Sequence, residues 1–330
     1  MNFFHKTNTT NMILSDAQLN VFVTNVLHLG SGKRKEFLGQ VDTLIDNLQR
    51  KIKEDDSFKV KGFTKTGSIM KGTVLKPRGD LGVDADIAVF LDVSESEKND
   101  VDNLHSIIRK LLIAAYPTKK PEDFQVQPRT LGIHFRTSGL DIDLVPVIPI
   151  LGEPGYGWQP SSERDQPVKT SVLGQLNFIK SRRDADPRFK TLVRLLKNWR
   201  NQNEIDRFRS FTIELIVAHL FDLHGAAVSL ESGLQRFFLY VAQSQLKKPI
   251  TFPELGKITA FPNNPVIILD PVNKSNNVAA RLTDVERKEI VNAAEKAWAT
   301  IEAASWKGGK GETLDLWKDV MGRSFIIEEA

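Results

Sequence analysis

Apolar residues recur along this chain in two rhythms, and the switch between them divides it. Behind Ser15-Asp16, a helix N-cap signature, Leu19, Phe22, Val23, Val26 and Leu27 follow helical spacing. Gly30-Ser31-Gly32 interrupts. A second helix is predicted over 33–53, with Phe37, Val41, Leu44, Leu48 and Ile52 on one stripe. So long a stripe needs an apolar partner, so this helix is expected to lie along the body of the protein.

The period then falls to two. Residues 58–63 alternate and lead into a Gly-Ser turn, and Val83–Val93 reads as a buried strand with an acidic start. Asn103–Tyr116 is a helix stopped by Pro117. Short strands are predicted at 125–127 and 132–136, and a third apolar strand at 140–150, again with acids at its start. Residues 152–167, rich in Gly, Pro and Ser, are predicted to be a loop and the domain junction. Helices are predicted near 168–182, 187–203, 210–224, 229–246, 283–303 and 313–321, with a loop-strand segment at 259–278 and a flexible turn at Lys307-Gly308-Gly309-Lys310-Gly311. The expected organisation is N-terminal helices over 1–56, a catalytic core over 57–167 and a helical lobe over 168–330.

The chemistry is concentrated in the strand region. In Val83–Val93, Asp84 and Asp86 are two residues apart, so they project from one strand face about 7 Å apart. Two carboxylates at that spacing repel unless a cation sits between them, and burying them unpaired would be expensive. The alternative is a pair of solvated acids at a strand edge. Asp141 and Asp143 repeat the device. A two-metal site needs about three acids, and Asp143, deeper in the apolar run Leu144-Val145-Pro146-Val147-Ile148, is preferred over Asp141 as the third. Asp80, beside Arg78, Gly79 and Gly82, reads as a turn acid. Sixteen residues before Asp84 stands Ser68, in Thr66-Gly67-Ser68-Ile69-Met70-Lys71-Gly72-Thr73. Gly67 would let backbone approach phosphate oxygens, and Ser68 would offer a hydroxyl to one.

Three further segments carry weaker signals. Arg194-Leu195-Leu196-Lys197-Asn198-Trp199-Arg200 is by itself an amphipathic helix with solvated cations. Ser210 is by itself a helix N-cap. The run Asp270-Pro271-Val272-Asn273-Lys274-Ser275-Asn276-Asn277 is by itself a turn stabilised by Asn side chains.

Composition narrows the picture. The chain has 330 residues, 41% of them apolar and 26% charged, with a formal net charge of +4. Such a mild excess of cations, spread along the chain, suits an anionic ligand such as a nucleotide. There is no cysteine, which excludes disulfides, thiolate chemistry and a Cys-containing zinc site. His219 and His224 fall on different helix faces, so a His-metal site is not expected. No stretch approaches a membrane span, and residues 1–8 lack the apolar run of a signal peptide, so a cytoplasmic protein is expected.

Taken in order, these segments resemble the cGAS/DncV-like nucleotidyltransferases of bacterial antiphage (CBASS) signalling. The resemblance runs from the long helix to Gly322-Arg323-Ser324-Phe325, and is nearest to the branch whose operons carry HORMA-domain partners and whose products include cyclic triadenylate. It implies an α/β fold: a polymerase-beta-like nucleotidyltransferase core with a mixed sheet, a long spine helix, and a C-terminal helical lobe closing the active-site cleft. It implies Asp84, Asp86 and Asp143 as catalytic, metal-binding acids for two Mg²⁺ ions, with Mn²⁺ as a substitute. Gly67 and Ser68 match the phosphate turn. Lys197 and Ser210 match residues that hold the donor triphosphate, and Asn276 and Asn277 match a turn near the nucleotide pocket. The substrates implied are nucleoside triphosphates, ATP above all. The partner implied is a HORMA-type or conjugating protein, met through a C-terminal tail in which Phe325 and Ile326 look exposed; simple packing of that tail is the other reading. One departure is the longer loop Pro77–Val83. The zinc ribbon of the animal DNA sensor has no counterpart, since there is no cysteine, which weakens the expectation of activation by direct DNA binding through that element. The competing functions are a linear oligoadenylate synthase or CCA-adding-type transferase of the same fold, and an inactive scaffold.

Overall fold

In the computed structural model, which describes residues 14–77, 82–160, 166–258, 262–307 and 309–327, both rhythms become elements. Asp80, most of the Pro77–Val83 loop and the end of the C-terminal tail lie outside the described residues. The helix α1 (Asp16–Phe22) starts at a capping box between Ser15 and Gln18 and continues through one π turn, Val23–Leu27. The spine helix α2 (Ser31–Glu54) follows. Next come β1 (Val60–Thr66), α3 (Gly67–Lys71), β2 (Val83–Leu91), α4 (Val101–Ala115), β3 (Phe124–Val126), β4 (Leu131–Phe135) and β5 (Leu140–Pro149). After them stand β6 (Gly157–Gln159), β7 (Val168–Thr170), α5 (Val172–Ala185), α6 (Arg188–Gln202), α7 (Ser210–His224) and α8 (Leu230–Ser244). The chain closes with β8 (Leu269–Asp270), β9 (Asn273–Asn277), α9 (Asp284–Ser305) and α10 (Lys310–Met321). The fold is α/β with a mixed sheet and C-terminal helices, as the resemblance implies.

The main sheet runs β1-β2-β5-β4-β3, with β6 joined to β5 and β7 to β6. β2 and β5 pair in parallel; the other pairs are antiparallel. One sheet face is apolar. Val83, Ala85 and Ile87 of β2 and Leu140, Ile142 and Leu144 of β5 share a core with Phe37, Val41, Leu44 and Leu48 of α2 and with Leu104, Ile108 and Leu111 of α4. The stripe of the spine helix therefore finds its partner in the sheet.

Compactness divides the chain differently from composition. The sheet unit holds residues 29–181 and 271–276; the helical unit holds the described residues up to 28, together with 182–270 and those from 277 onward. The expected junction at 152–167 is corrected: β6 lies inside it and pairs with the end of β5. The division falls within α5. Its first turns are used by the sheet unit, where Val172 and Leu176 pack on Ala88 and Val147. Arg182, further along, pairs with Asp222 and Glu254 of the helical unit. The two predicted N-terminal helices also part company, because α2 belongs to the sheet unit and α1 to the helical one.

In the helical unit the entering chain is pinned at α8. The Leu14 amide donates to Glu231 Oε2 at 2.6 Å, and Asp16 Oδ1 accepts from the Leu230 amide at 2.6 Å. Burial pushes the Glu231 carboxyl up to about 7. Trp199 of α6 is edge-on to Phe208, Phe237 and Phe238, with centroids 6.5, 6.4 and 4.9 Å away.

The exposed tail is corrected at Phe325, which is fully buried. Its ring stacks on Trp317 at 5.5 Å and meets Phe22 edge-on at 4.8 Å. The packing reading therefore describes Phe325, while Ile326 stays 39% exposed. Phe325→Ala should destabilise the protein by about 3–5 kcal/mol, the cost of emptying a filled aromatic site. Urea denaturation checks this, and a loss below about 1 kcal/mol would contradict the packing.

Candidate active site

The parallel pairing of β2 and β5 sets Asp84 opposite Asp141 and Asp86 opposite Asp143. Because alternate residues of both strands enter the apolar core, all four carboxylates lie on the other sheet face. Further along that face, α5 covers Ala88 and Val147. The acids occupy the uncovered starts of the strands. Asp84 is exposed there, against the sequence expectation of a buried pair; Asp86, Asp141 and Asp143 are half-buried.

The two acids of β5 differ in surroundings. Asp141 Oδ1 lies 2.6 Å from His134 Nδ1, on the neighbouring strand β4. Asp143 faces Gly132, where a Cβ would stand 3.0 Å from its Oδ1, and Gln127 Nε2 donates to that oxygen at 3.3 Å. Burial first, then the charges of Asp86 and Asp84, push the Asp143 carboxyl up to about 7. No three His, Asp or Glu side chains among the described residues converge into a ready metal cage. The chemistry of the donor set nonetheless fits a divalent cation: hard carboxylate oxygens gathered on one sheet face, with the charges of Asp86 and Asp84 raising the proton affinity of Asp143.

The Gly-Ser turn belongs to the same constellation. β1 ends with Thr66 in register with Asp86. The chain turns at Gly67, with φ +73°, and enters α3. Gly67 is required twice over, because its φ is left-handed and because a Cβ there would collide with the Asp86 carboxylate. Gly72 closes α3 in the αL conformation with its amide on the Ser68 carbonyl. Arg34 of the spine helix fixes the turn from outside, through two bonds to the Ile69 carbonyl at 3.0 and 2.8 Å. A polar cavity of about 260 Å³ opens beside the acids, lined by Asp84, Asp141, Asp143, His134, Gln125 and Gln127 among others.

The remaining predicted residues belong chiefly to the helical unit. Lys197 is not a solvated cation of an amphipathic face: it is 5% exposed. Ser210 is the first residue of α7, not its cap. Its Oγ accepts from Arg200 Nη1 at 3.2 Å, and Arg200 lies one turn from Lys197 on α6. Asn277 is corrected. Its Oδ1 accepts from the Ile268 and Ala279 amides, both at 3.0 Å, and its Nδ2 donates to the Val266 carbonyl at 2.8 Å. A carboxamide so committed holds the loop and has little left for a nucleotide. Sequence reasoning missed Arg34, Arg200, His134, Gly132 and the two glutamines. Register and packing reveal them, and no local motif does.

No family model matches the chain. It is 42% identical to the CBASS oligonucleotide cyclase CdnC of Escherichia coli (strain KTE188), over 97% of this chain and all of that protein. It is 33% identical to the cyclic AMP-AMP-AMP synthase of Escherichia coli (strain MS 115-1), over 92% of this chain and 95% of the relative. Among solved structures it is similar to E. coli MS115-1 CdnC with ATP, with a TM-score of 0.84 at 32% identity over 95% of this chain and 99% of that one. The complex of E. coli MS115-1 CdnC with HORMA-deltaN matches with a TM-score of 0.82 at 30% identity over 95% of this chain and 98% of that one.

In metal-free buffer the raised Asp143 carboxyl has a defined sign. The fold binds its proton more readily than the unfolded chain does, so its contribution to stability falls as pH rises from about 4 through about 7. Asp143→Asn should therefore raise the melting temperature in the presence of EDTA, by an increment that grows from pH 5 to pH 8. A pH-independent increment would refute the environment assigned to Asp143.

Proposed function

The chain belongs to the CBASS oligonucleotide cyclases, cGAS/DncV-like nucleotidyltransferases of antiphage defence, and from that premise we propose that it joins ATP into a cyclic oligonucleotide, cyclic triadenylate, in the bacterial cytoplasm. The observation that carries the assignment of the site is the register of β2 against β5, which sets Asp86 beside Asp143 on the sheet face next to Gly67-Ser68. Enzymes of this family act with divalent metal ions; Asp84, Asp86 and Asp143 would hold Mg²⁺, as two ions, and the bound metal would neutralise the triphosphate and ease the loss of pyrophosphate.

The protein's own residues then have distinct tasks. Gly67 lets the backbone approach the donor triphosphate, and the Ser68 hydroxyl donates to a phosphate oxygen. By the family resemblance Lys197 of α6 and Ser210 of α7 bind triphosphate oxygens, with Arg200 orienting the serine. A ribose hydroxyl of a second nucleotide attacks the α-phosphorus, its proton passes to an Asp143 carboxylate oxygen, and pyrophosphate departs. Repetition and ring closure complete the product. Asp143 is preferred over Asp141 because Asp141 is already engaged by His134. The partner proposed is a HORMA-domain protein, on the strength of the complex formed by the E. coli MS115-1 relative. Its contact does not include Phe325, which is buried.

Incubation with the four nucleoside triphosphates and Mg²⁺, followed by mass spectrometry of phosphatase-resistant products, should yield a cyclic adenylate, and Asp84→Asn with Asp86→Asn should abolish it. A linear product with a free 3′ end would replace this reading with a linear synthase. No product even with a HORMA partner would make the chain a scaffold.

Lys197→Ala should raise the KM for ATP more than it lowers kcat, with a loss of about 1.5–3 kcal/mol, the range for a hydrogen bond to a charged group. Melting temperature is measured alongside, since the lysine is buried. Unchanged kinetics in a folded variant would remove Lys197 from the donor site.

A further inference from the structure

The row of sheet residues through the acids continues beyond them. Asp86 pairs with Asp143, Asp143 with Gly132 and Gly132 with Gln125, across β2, β5, β4 and β3. On the acidic face the row therefore reads carboxylate, carboxylate, no side chain, carboxamide. A Cβ at Gly132 would stand 3.0 Å from Asp143 Oδ1 and 3.6 Å from Gln125 Cβ. The missing side chain leaves a slot between the third acid and the edge strand. That slot is part of the 260 Å³ cavity, whose lining includes Gln125 and Gln127. The two glutamines are two residues apart and so face the acids together. Gln127 is already bonded to Asp143, whereas Gln125 is exposed at the rim.

The two flanks of the acids are unlike. On the β1 side lies the Gly67-Ser68 turn, in register with Asp86 through Thr66. In-line displacement at phosphorus requires the attacking and leaving oxygens on opposite sides. If pyrophosphate leaves toward Gly67-Ser68, the attacking hydroxyl must arrive from the β4–β3 flank. We propose that this flank receives the acceptor nucleotide and that Gln125 holds it there, its carboxamide pairing with the edge of the base. A carboxamide offers one acceptor and two donors, which suits the adjacent donor and acceptor groups of an adenine edge. Gly132 provides the room, and Gln127 keeps the Asp143 carboxylate turned toward the incoming ribose. In the step, the ribose oxygen bonds to the α-phosphorus, the bond to the bridging oxygen breaks, pyrophosphate carries away the electron pair, and the hydroxyl proton goes to Asp143. The assignment rests on the cyclase reading above.

The two nucleotides can be separated experimentally. 2′,3′-Dideoxy-ATP can give a nucleotide but has no hydroxyl with which to attack. α,β-Methylene-ATP can attack but cannot lose pyrophosphate. Together they allow one bond, counted as pyrophosphate released, and each can be varied against saturating amounts of the other. Gln125→Ala should raise the KM for α,β-methylene-ATP about tenfold, the scale of one lost hydrogen bond, and leave the KM for 2′,3′-dideoxy-ATP within about twofold. Gln125→Met, which keeps the length but not the carboxamide, should behave the same way. An unchanged acceptor KM in either variant, or equal rises for both nucleotides, would overturn the assignment. If the wild-type protein releases no pyrophosphate from ATP even with a HORMA-domain partner present, the cyclase reading fails instead.

Discussion

The parallel pairing of two strands is the constraint on which this protein turns. β2 and β5 each bury one face in the core and begin with acids on the other. Once they pair in parallel and in register, Asp84, Asp86, Asp141 and Asp143 must share a patch of sheet. A slip of one residue would send the acids into the core and Val83, Ala85 and Ile87 to the surface, at a cost no local interaction could offset. The apolar core thus enforces the electrostatic arrangement, and the spine helix enforces the core by laying Phe37, Val41, Leu44 and Leu48 against it.

The pairing crowds the acids on one sheet face. Burial and the neighbouring charges of Asp86 and Asp84 together push the Asp143 carboxyl up to about 7. The fold then manages the excess selectively. Asp141 is given His134, Asp84 is left exposed, and Asp143 is left beside a glycine. Four similar side chains thus acquire different chemistry from their neighbours alone.

The helical unit reaches its polar residues by the opposite route. There the core is aromatic, with Trp199 surrounded by Phe208, Phe237 and Phe238, and Lys197 is buried on the same helix. Its burial rules out the solvated helix face that the sequence of α6 suggests when read alone.

Much of this was legible in the sequence. The stripe of α2, the starts of β2 and β5 and the cap at Ser15 follow from periodicity and local hydrogen bonding, and these elements appear within a few residues of their predicted bounds. The two Asp-x-Asp pairs and Gly67-Ser68 were visible because their spacing is local: alternate residues of a strand share a face whatever the fold. What crosses between segments was not visible. Nothing near Asp141 announces that His134 will engage it, nothing near Gly132 announces that it faces Asp143, and the burial of Phe325 depends on Phe22, some three hundred residues earlier in the chain. Nor could Asn277 be told from a nucleotide ligand until its three backbone partners were in place. The sequence by itself determined which residues carry charge and which stretches alternate, since these follow from side-chain chemistry and chain geometry. Tertiary structure alone decided which carboxylate meets a histidine and which a glycine, which lysine is buried and which tail residue is packed, since these depend on distances between residues that the chain brings together only on folding.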